Sequence, residues 1–559
     1  MKRLYCLFIL ILYLAISIPS YAQFTINGKN IIYDKQNDTY MACIPEDAFG
    51  KDYEAIILLD IASDWSDLSI DGTQIAYSYT FKQVEGNKLY SIHARKGNKE
   101  INTKITFTFL PLLVLQGSFG YDYAQGSMSL YSSDATEPTI SLIKAKWRGG
   151  STNTADKHKR NYKIKSINFK GKSQDISLLG MREDNNWIMD AGQIDLFRLR
   201  NRIATEIWND FATKPYYASK ETKVKSGVTG KVVEVILNNE YRGIYSLTEA
   251  MDRKELKLKK YDDKNQEFHG QLWKVSSWDK ATFWDIDKDY DNTQETWHAF
   301  ETKYPDIEDV NPTDYSPLYE AIDFVVNSND ETFKKEVGDY FDIPVLIDYQ
   351  LFLETLKPVD NNGKNMYWGI YDVAKSKKLT LAIWDLDASV GQDWHCSTPL
   401  HPDYVLPNTD LGVKDVFNLY HRLSSLNVDN YNGKVASRYQ ELRKTYFSEE
   451  NLISRYQGYY DMLVKSGAAS REECKWSKDS DIGGYPLNFK SEIEYIKNWI
   501  INRLSYLDSN QFPVSTNISE IHQKESLSTK TTYNMLGQKV GASYQGLKIK
   551  NGKKFYTTK

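Results

Sequence analysis

Asp360-Asn361-Asn362-Gly363-Lys364-Asn365 and, one short hairpin later, Trp384-Asp385-Leu386-Asp387 are the two stretches whose pairing decides how this chain folds. The first places an Asn five residues after an Asp, and the second closes the apolar run Leu379-Thr380-Leu381-Ala382-Ile383. Between them stand Met366-Tyr367-Trp368-Gly369-Ile370-Tyr371 and a polar turn, Lys375-Ser376-Lys377-Lys378. The order reads as loop, strand, turn, strand, acidic loop. Phosphoryl transfer of the protein-kinase type needs this layout. One Asp accepts the hydroxyl proton, an Asn five residues on serves one metal ion, and an Asp after a short hairpin serves another. Either half alone is ordinary, since Asn-Asn-Gly is a common turn and an Asp often ends a strand. The order and the intervening hairpin give the pair its weight.

Outward from this centre, Pro317 to Leu356 reads as helix, broken near Asp342-Ile343-Pro344. A helix is expected from about Gln193 to Phe211, carrying Arg198, Arg200 and Arg202. Lys231 to Leu237 turns through Asn238-Asn239 into Tyr241 to Glu249, a hairpin. Lys144-Ala145-Lys146-Trp147 is strand-like, Arg148-Gly149-Gly150-Ser151-Thr152-Asn153-Thr154 is a polar loop, and Tyr162 to Ile167 alternates as a strand. Residues 23–135 look β-rich and sandwich-like, with strands at Ala55–Leu59 and Lys104–Phe109 and turns at Asp71-Gly72 and Glu85-Gly86-Asn87. Residues 432–508 are largely helical and end in the amphipathic run Phe489–Leu507. From about Gln511 the chain turns polar, then Tyr533 to Val540 and Gly546 to Lys554 suggest short strands around Gly and Asn-Gly turns.

Length and composition narrow the classes. The chain has 559 residues, 41% hydrophobic and 26% charged, room for several globular domains. Its formal net charge of −4 gives no electrostatic reason to expect nucleic acid as a partner. Aromatic residues make up 13%, which fits β-rich cores and also surfaces that meet glycans. Lys2 and Arg3 precede the apolar run Leu4–Ile18, and Ser20-Tyr21-Ala22 offers small residues at −3 and −1 of a cleavage site. That is the pattern of a secretory signal over residues 1–22, with an uncleaved anchor as runner-up and no other membrane segment. Cys43, Cys396 and Cys474 would remain, enough for one disulfide at most, Cys396 with Cys474 being conceivable. His395-Cys396 has no partners at zinc spacing and reads as structural. Asp285 to Asp291 mimics a calcium loop but lacks its Gly and Glu, and reads as a solvated acidic loop.

These motifs, taken in order, resemble the spore coat protein H (CotH) kinase family over roughly residues 140–508. Arg148-Gly149-Gly150-Ser151 looks like the family's Arg-Gly-Asn-Ser loop, and Lys159 to Lys165 like its basic strand entry. Leu178-Leu179-Gly180, Asp184, Trp187, Asp195 and Arg200-Asn201 match the block before its helix. Asn238 through Gly243-Ile244-Tyr245 to Glu249 matches its hairpin, and the two acidic segments, with Gly391, match its catalytic pair. Gly150 departs from the family, which usually has Asn there. A side-chain contact is lost at that position while the backbone gains freedom.

The resemblance implies an α+β, atypical protein-kinase-like fold of two lobes over residues 136–510, preceded by the small β-rich module of residues 23–135. Residues 511–559 form a linker and a tail similar to the sorting tails of exported Bacteroidetes proteins. It further implies ATP and Mg²⁺ as cofactors, Asp360 as base or hydroxyl-orienting residue, and Asn365, Asp385 and Asp387 around the metal. Lys159 and Lys163 are the candidate phosphate cations, between which the sequence does not choose. Arg148 is a candidate for the phosphate loop. Glu249 is a candidate near the adenine, or else an ordinary acid at a helix start. The expected function is an exported kinase, at the cell surface, secreted or periplasmic, that phosphorylates Ser or Thr of a protein partner. The alternative is an inactive surface pseudokinase serving assembly or adhesion. A glycan-active enzyme is a weaker third reading, because no carboxylate pair stands out as acid and nucleophile.

Overall fold

Tyr90, Ile92 and Ala94 are buried while Ser91 and Arg95 face water, and this period of two builds the front of the chain as strands. The computed structural model describes residues 24–59, 66–96, 99–150, 152–278, 280–394, 402–410, 412–513, 532–534, 539–541, 546–550 and 553–557. The signal-like segment and the pair His395-Cys396 lie outside them. Two sheets, of four and six strands, share one core in which Phe81 meets Tyr90 and Phe107 edge-on at 4.9 and 4.8 Å. The architecture is mixed α+β with a β-rich N-terminal region. It forms one compact unit reaching Tyr506 and a second beginning at Leu507.

A closed seven-stranded barrel comes next, in the order Leu112–Gln116, Ala124–Tyr131, Thr139–Arg148, Asn161–Ile167, Asn186–Asp190, Glu240–Glu249, Gly230–Leu237. It closes where Leu112–Gln116 runs parallel to Gly230–Leu237. Two of its strands therefore come from ahead of residue 136. Ile143, Ala145, Tyr162, Ile164, Trp187 and Met189 fill the interior. Their alternating neighbours Lys146, Lys163 and Ile188 stand in register on the outer face. The hairpin from Leu237 to Glu240 turns on Asn238 and Asn239, both left-handed at φ 52° and 64°, as a two-residue turn between twisted strands requires.

The helix expected from Gln193 begins only at Arg200. Asp195 is the reason. Its carboxylate accepts N–H bonds from Phe197 and Arg200, at 2.8 and 2.7 Å, and Arg198 is left-handed at φ 64°. The local side-chain bonds hold this stretch as turns. Ser316–Asn327, Asp330–Tyr340 and Ile343–Leu356 are separate helices, the last two parted at Asp342. The last is buried on nearly all sides and props up the loop after it. Further helices at Asn418–Ser425, Tyr431–Arg443, Glu449–Lys465, Ala468–Trp476 and Phe489–Tyr506 complete the first unit. Beside them lies a five-stranded sheet, Thr296–Trp297, Phe300–Tyr304, Gln271–Val275, Met366–Asp372, Ser376–Ile383. The second unit holds a four-stranded antiparallel sheet within residues 532–557. Among the described residues, no helix is long and apolar enough to cross a membrane.

Candidate active site

The hairpin of Met366–Asp372 and Ser376–Ile383 starts on the pair Met366 with Ile383. Its register therefore sets Asn365 beside Trp384 and brings the two acidic segments together. Asn361 staples them, donating from Nδ2 to the carbonyls of Asn365 at 3.1 Å and Trp384 at 2.8 Å. The Tyr349 hydroxyl donates to the carbonyl of Asn361 at 2.8 Å, which ties the staple to the buried helix. Asn365 and Asp385 both take left-handed backbone, φ 55° and 59°. Asn and Asp tolerate that conformation better than other side chains, and such positions cluster at functional sites.

Asp360 is held on both oxygens. Oδ1 accepts from the Trp278 indole at 2.8 Å, and Oδ2 accepts from Asn365 Nδ2 at 2.8 Å and lies 3.1 Å from the Lys364 ammonium. Asp385 lines a small cleft with Arg148, Asp190, Asn201 and Trp384. Asn201 bridges there, accepting from Leu386 N at 3.1 Å and donating to Asp190 at 2.7 Å. Burial pushes the Asp385 carboxyl up, against the pull of Lys274 and Arg148 and with the help of Asp190 and Asp360. Asp387 is pushed well up by burial and then by Asp385, Asp190, Asp195 and Asp360. Crowded carboxylates of this kind become tolerable when a cation stands among them. The oxygen donors Asp385, Asp387 and Asn365 are of the hard class that Mg²⁺ takes, so these residues fit the ion that kinase chemistry requires.

Cations gather on the facing surfaces. The Arg148 guanidinium stacks over the Trp384 ring at 5.3 Å. Burial drives the Lys163 ammonium down, and Lys165, Lys146 and Arg148 add to it. Burial does the same to Lys274, where Asp385 opposes it and Arg148 and Lys364 assist. Lys303 is lowered to about 8 by burial first, with Lys274 and Lys163 adding to the shift and Glu295 opposing it. Lys303 pairs with Glu301, whereas no ion pair or side-chain hydrogen bond holds Lys163 or Lys274 among the described residues. Trp278, Lys274, Lys303 and Asp190 escape sequence reading. Trp278 sits in a loop with no motif, and Lys274 hides in the apolar strand Gln271-Leu272-Trp273-Lys274-Val275.

The other two candidates stand elsewhere. Lys159 is buried, and its ammonium donates to Glu472 and to the carbonyl of Ile244, both at 2.7 Å. Arg198 shares the same Glu472 oxygen at 2.7 Å. Gly243 makes room for this knot, since a Cβ there would lie 1.9 Å from Glu472 Oε2. Glu249 ends its strand rather than starting a helix. Its carboxylate takes the N–H of Arg182 at 2.8 Å and of Thr229 at 3.2 Å. The loop from Asp285 to Asp291 is engaged in ion pairs, Lys280 with Asp285 and Asp287, and His298 with Asp287.

The model of the family described as CotH kinase protein matches residues 145–507. The chain belongs to the CotH kinase family. Its match spans the barrel from the Thr139–Arg148 strand onward, both acidic segments and the helices through Phe489–Tyr506. No curated protein matches it.

Proposed function

We propose that this member of the CotH kinase family is an exported, ATP- and Mg²⁺-dependent kinase of two-lobed kinase-like fold that phosphorylates Ser or Thr of a protein. Family membership supports a kinase-like function. One observation carries the finer reading: two half-desolvated ammonium groups, Lys163 and Lys274, stand without an ion-pair partner near Arg148, and Lys274 also lies near Asp385. A protein keeps unpaired cations away from water only at a cost, and an anion of several charges repays it. The triphosphate of a nucleotide has the charge and the length to meet all three cations and, through Mg²⁺, the acids opposite. Of the two lysines that the sequence leaves open, Lys163 is the one free for this task. Lys159 is spent on Glu472.

In this reading the barrel's outer face is the upper wall of the nucleotide site and the Asp360–Asp385 hairpin the lower. Trp278 and Asn365 aim Asp360 at the acceptor hydroxyl. Asp360 takes the hydroxyl proton as the acceptor oxygen bonds to the γ-phosphorus and ADP leaves. Mg²⁺, when bound, would supply charge to neutralise the phosphates, and Asn365 and Asp385, with Asp387 beside them, are the side chains that would hold it. Residues 1–22 provide export, and residues 511–559 act as a sorting tail. The test is transfer of labelled γ-phosphate from ATP to the protein itself or to a Ser/Thr-rich acceptor protein. Asp360→Ala is expected to lower the rate about 100-fold or more while nucleotide binding persists. Binding without transfer in the unsubstituted chain would overturn the enzyme and leave a pseudokinase.

A further inference from the structure

We propose that His158, Asp479 and Asp481 bind a borderline divalent cation, Zn²⁺ or Mn²⁺, which fastens the loop after Arg148 to the helices near the end of the first unit. The three residues bring one ligand atom each to within 4.8 Å of one another. Hydrogen bonds across 323 residues of sequence preset them. Asp481 Oδ2 accepts the backbone N–H of His158 at 2.8 Å and of Lys159 at 2.9 Å. Asp479 caps the turn Ser480–Ile482, its Oδ1 accepting Asp481 N at 2.8 Å. Arg242 donates to the carbonyl of His158, fixing that backbone from the other side. The imidazole Nδ1 lies 2.8 Å from Asp479 Oδ2.

The oxygen left over points to a ligand. Asp481 is only 8% exposed, and its Oδ1 is buried with no partner. A carboxylate oxygen withdrawn from water and left unbonded is costly, and a cation beside it removes that cost. One imidazole with two carboxylates mixes the nitrogen preference of Zn²⁺ with the oxygen preference of Mn²⁺, and three protein ligands leave water to complete the shell. The cation then sits one residue from Lys159, so it reinforces the contact of that residue with Glu472.

The test uses metal-stripped full-length protein carrying Asp385→Asn and Asp387→Asn, so that the acids of the proposed kinase site do not contribute. It is dialysed against Zn²⁺ or Mn²⁺ and the bound metal is counted by mass spectrometry. The expected result is about one bound ion, with affinity falling about tenfold or more on adding His158→Gln or Asp481→Asn. The His158 side chain is 55% exposed, so its replacement spares the fold, as circular-dichroism melts of the metal-free protein will show. No bound ion, or binding indifferent to His158→Gln, overturns the proposal.

Discussion

Trp278 touches Asp360 through one indole hydrogen, and nothing else in its loop marks it. Phe keeps most of the ring and loses that donor. Trp278→Phe is therefore expected to lower kcat about tenfold with KM nearly unchanged, the mark of a residue that orients the base without binding nucleotide. A proportional change in both would show instead that the loop shapes the nucleotide site. Lys274 presents the opposite case. Its charge is desolvated and unpaired, so Lys274→Met is expected to stabilise the ligand-free protein by about 0.5–2 kcal/mol and to abolish its response to ATP. Denaturant melts with and without nucleotide read both effects together. At this scale the acids were legible in the sequence, because motif spacing reveals residues close together along the chain. The cations were half legible. Lys163 and Lys159 look alike in sequence, and only the fold shows that Lys163 is left without an ion pair on the barrel's outer face while Lys159 is held by the buried Glu472.

Glu472, on the helix Ala468–Trp476, holds Lys159 and Arg198 on one oxygen and the N–H of Ile244 on the other. This helix is thereby clamped to the barrel. Removing a shared buried partner leaves two uncompensated cations, so Glu472→Ala is expected to cost about 3–5 kcal/mol in chemical denaturation. A loss below about 1 kcal/mol would mean that the knot is hydrated and carries little. Strand periodicity made most of these elements readable. The barrel strands Thr139–Arg148 and Asn161–Ile167 alternate between buried and half-exposed positions, and the break at Asp342-Ile343-Pro344 falls where Pro forbids continuation. The early helix start at Gln193 failed for a local reason. Asp195 and its backbone bonds outcompete the helix in the stretch before Arg200, and composition alone does not reveal which carboxylate will turn back on its own chain.

Across the whole first unit, the front module is no bead on a string. Ile32, Met41 and Cys43 share a core with Leu112, Val114, Ile236 and Tyr241 of the barrel. The Cys43 thiol is pushed up to about 12 by burial there. Arg471 joins three parts at once, donating to Glu234 of the barrel at 2.8 and 2.9 Å, to the carbonyl of Gly86 in the front module at 2.7 Å, and to the carbonyl of Ser466 at 2.8 Å. A chain shortened to begin at Leu112 would bare that core. It is expected to melt at least about 10 °C lower, since the loss of several buried side chains sums to several kcal/mol. An unchanged melting temperature would make the module dispensable to the fold. Sequence reading separated this module from the rest near residue 135, because β-richness cannot say which sheet a strand joins. Leu112–Gln116 and Ala124–Tyr131 instead pair into the barrel, with Gly230–Leu237 on one side and Thr139–Arg148 on the other.

Lys163, Lys274 and Arg148 form the proposed polyanion site, with Asp385 beside Lys274 and Arg148. Thermal melting of the protein lacking residues 1–22, with millimolar ATP and Mg²⁺ and beside Asp385→Ala, probes that site. Ligand that binds only the folded state raises the melting temperature. A rise that needs both ATP and Mg²⁺ and vanishes in Asp385→Ala is the predicted result. No rise in the unsubstituted chain, or one that survives in Asp385→Ala, would leave the protein without such a site.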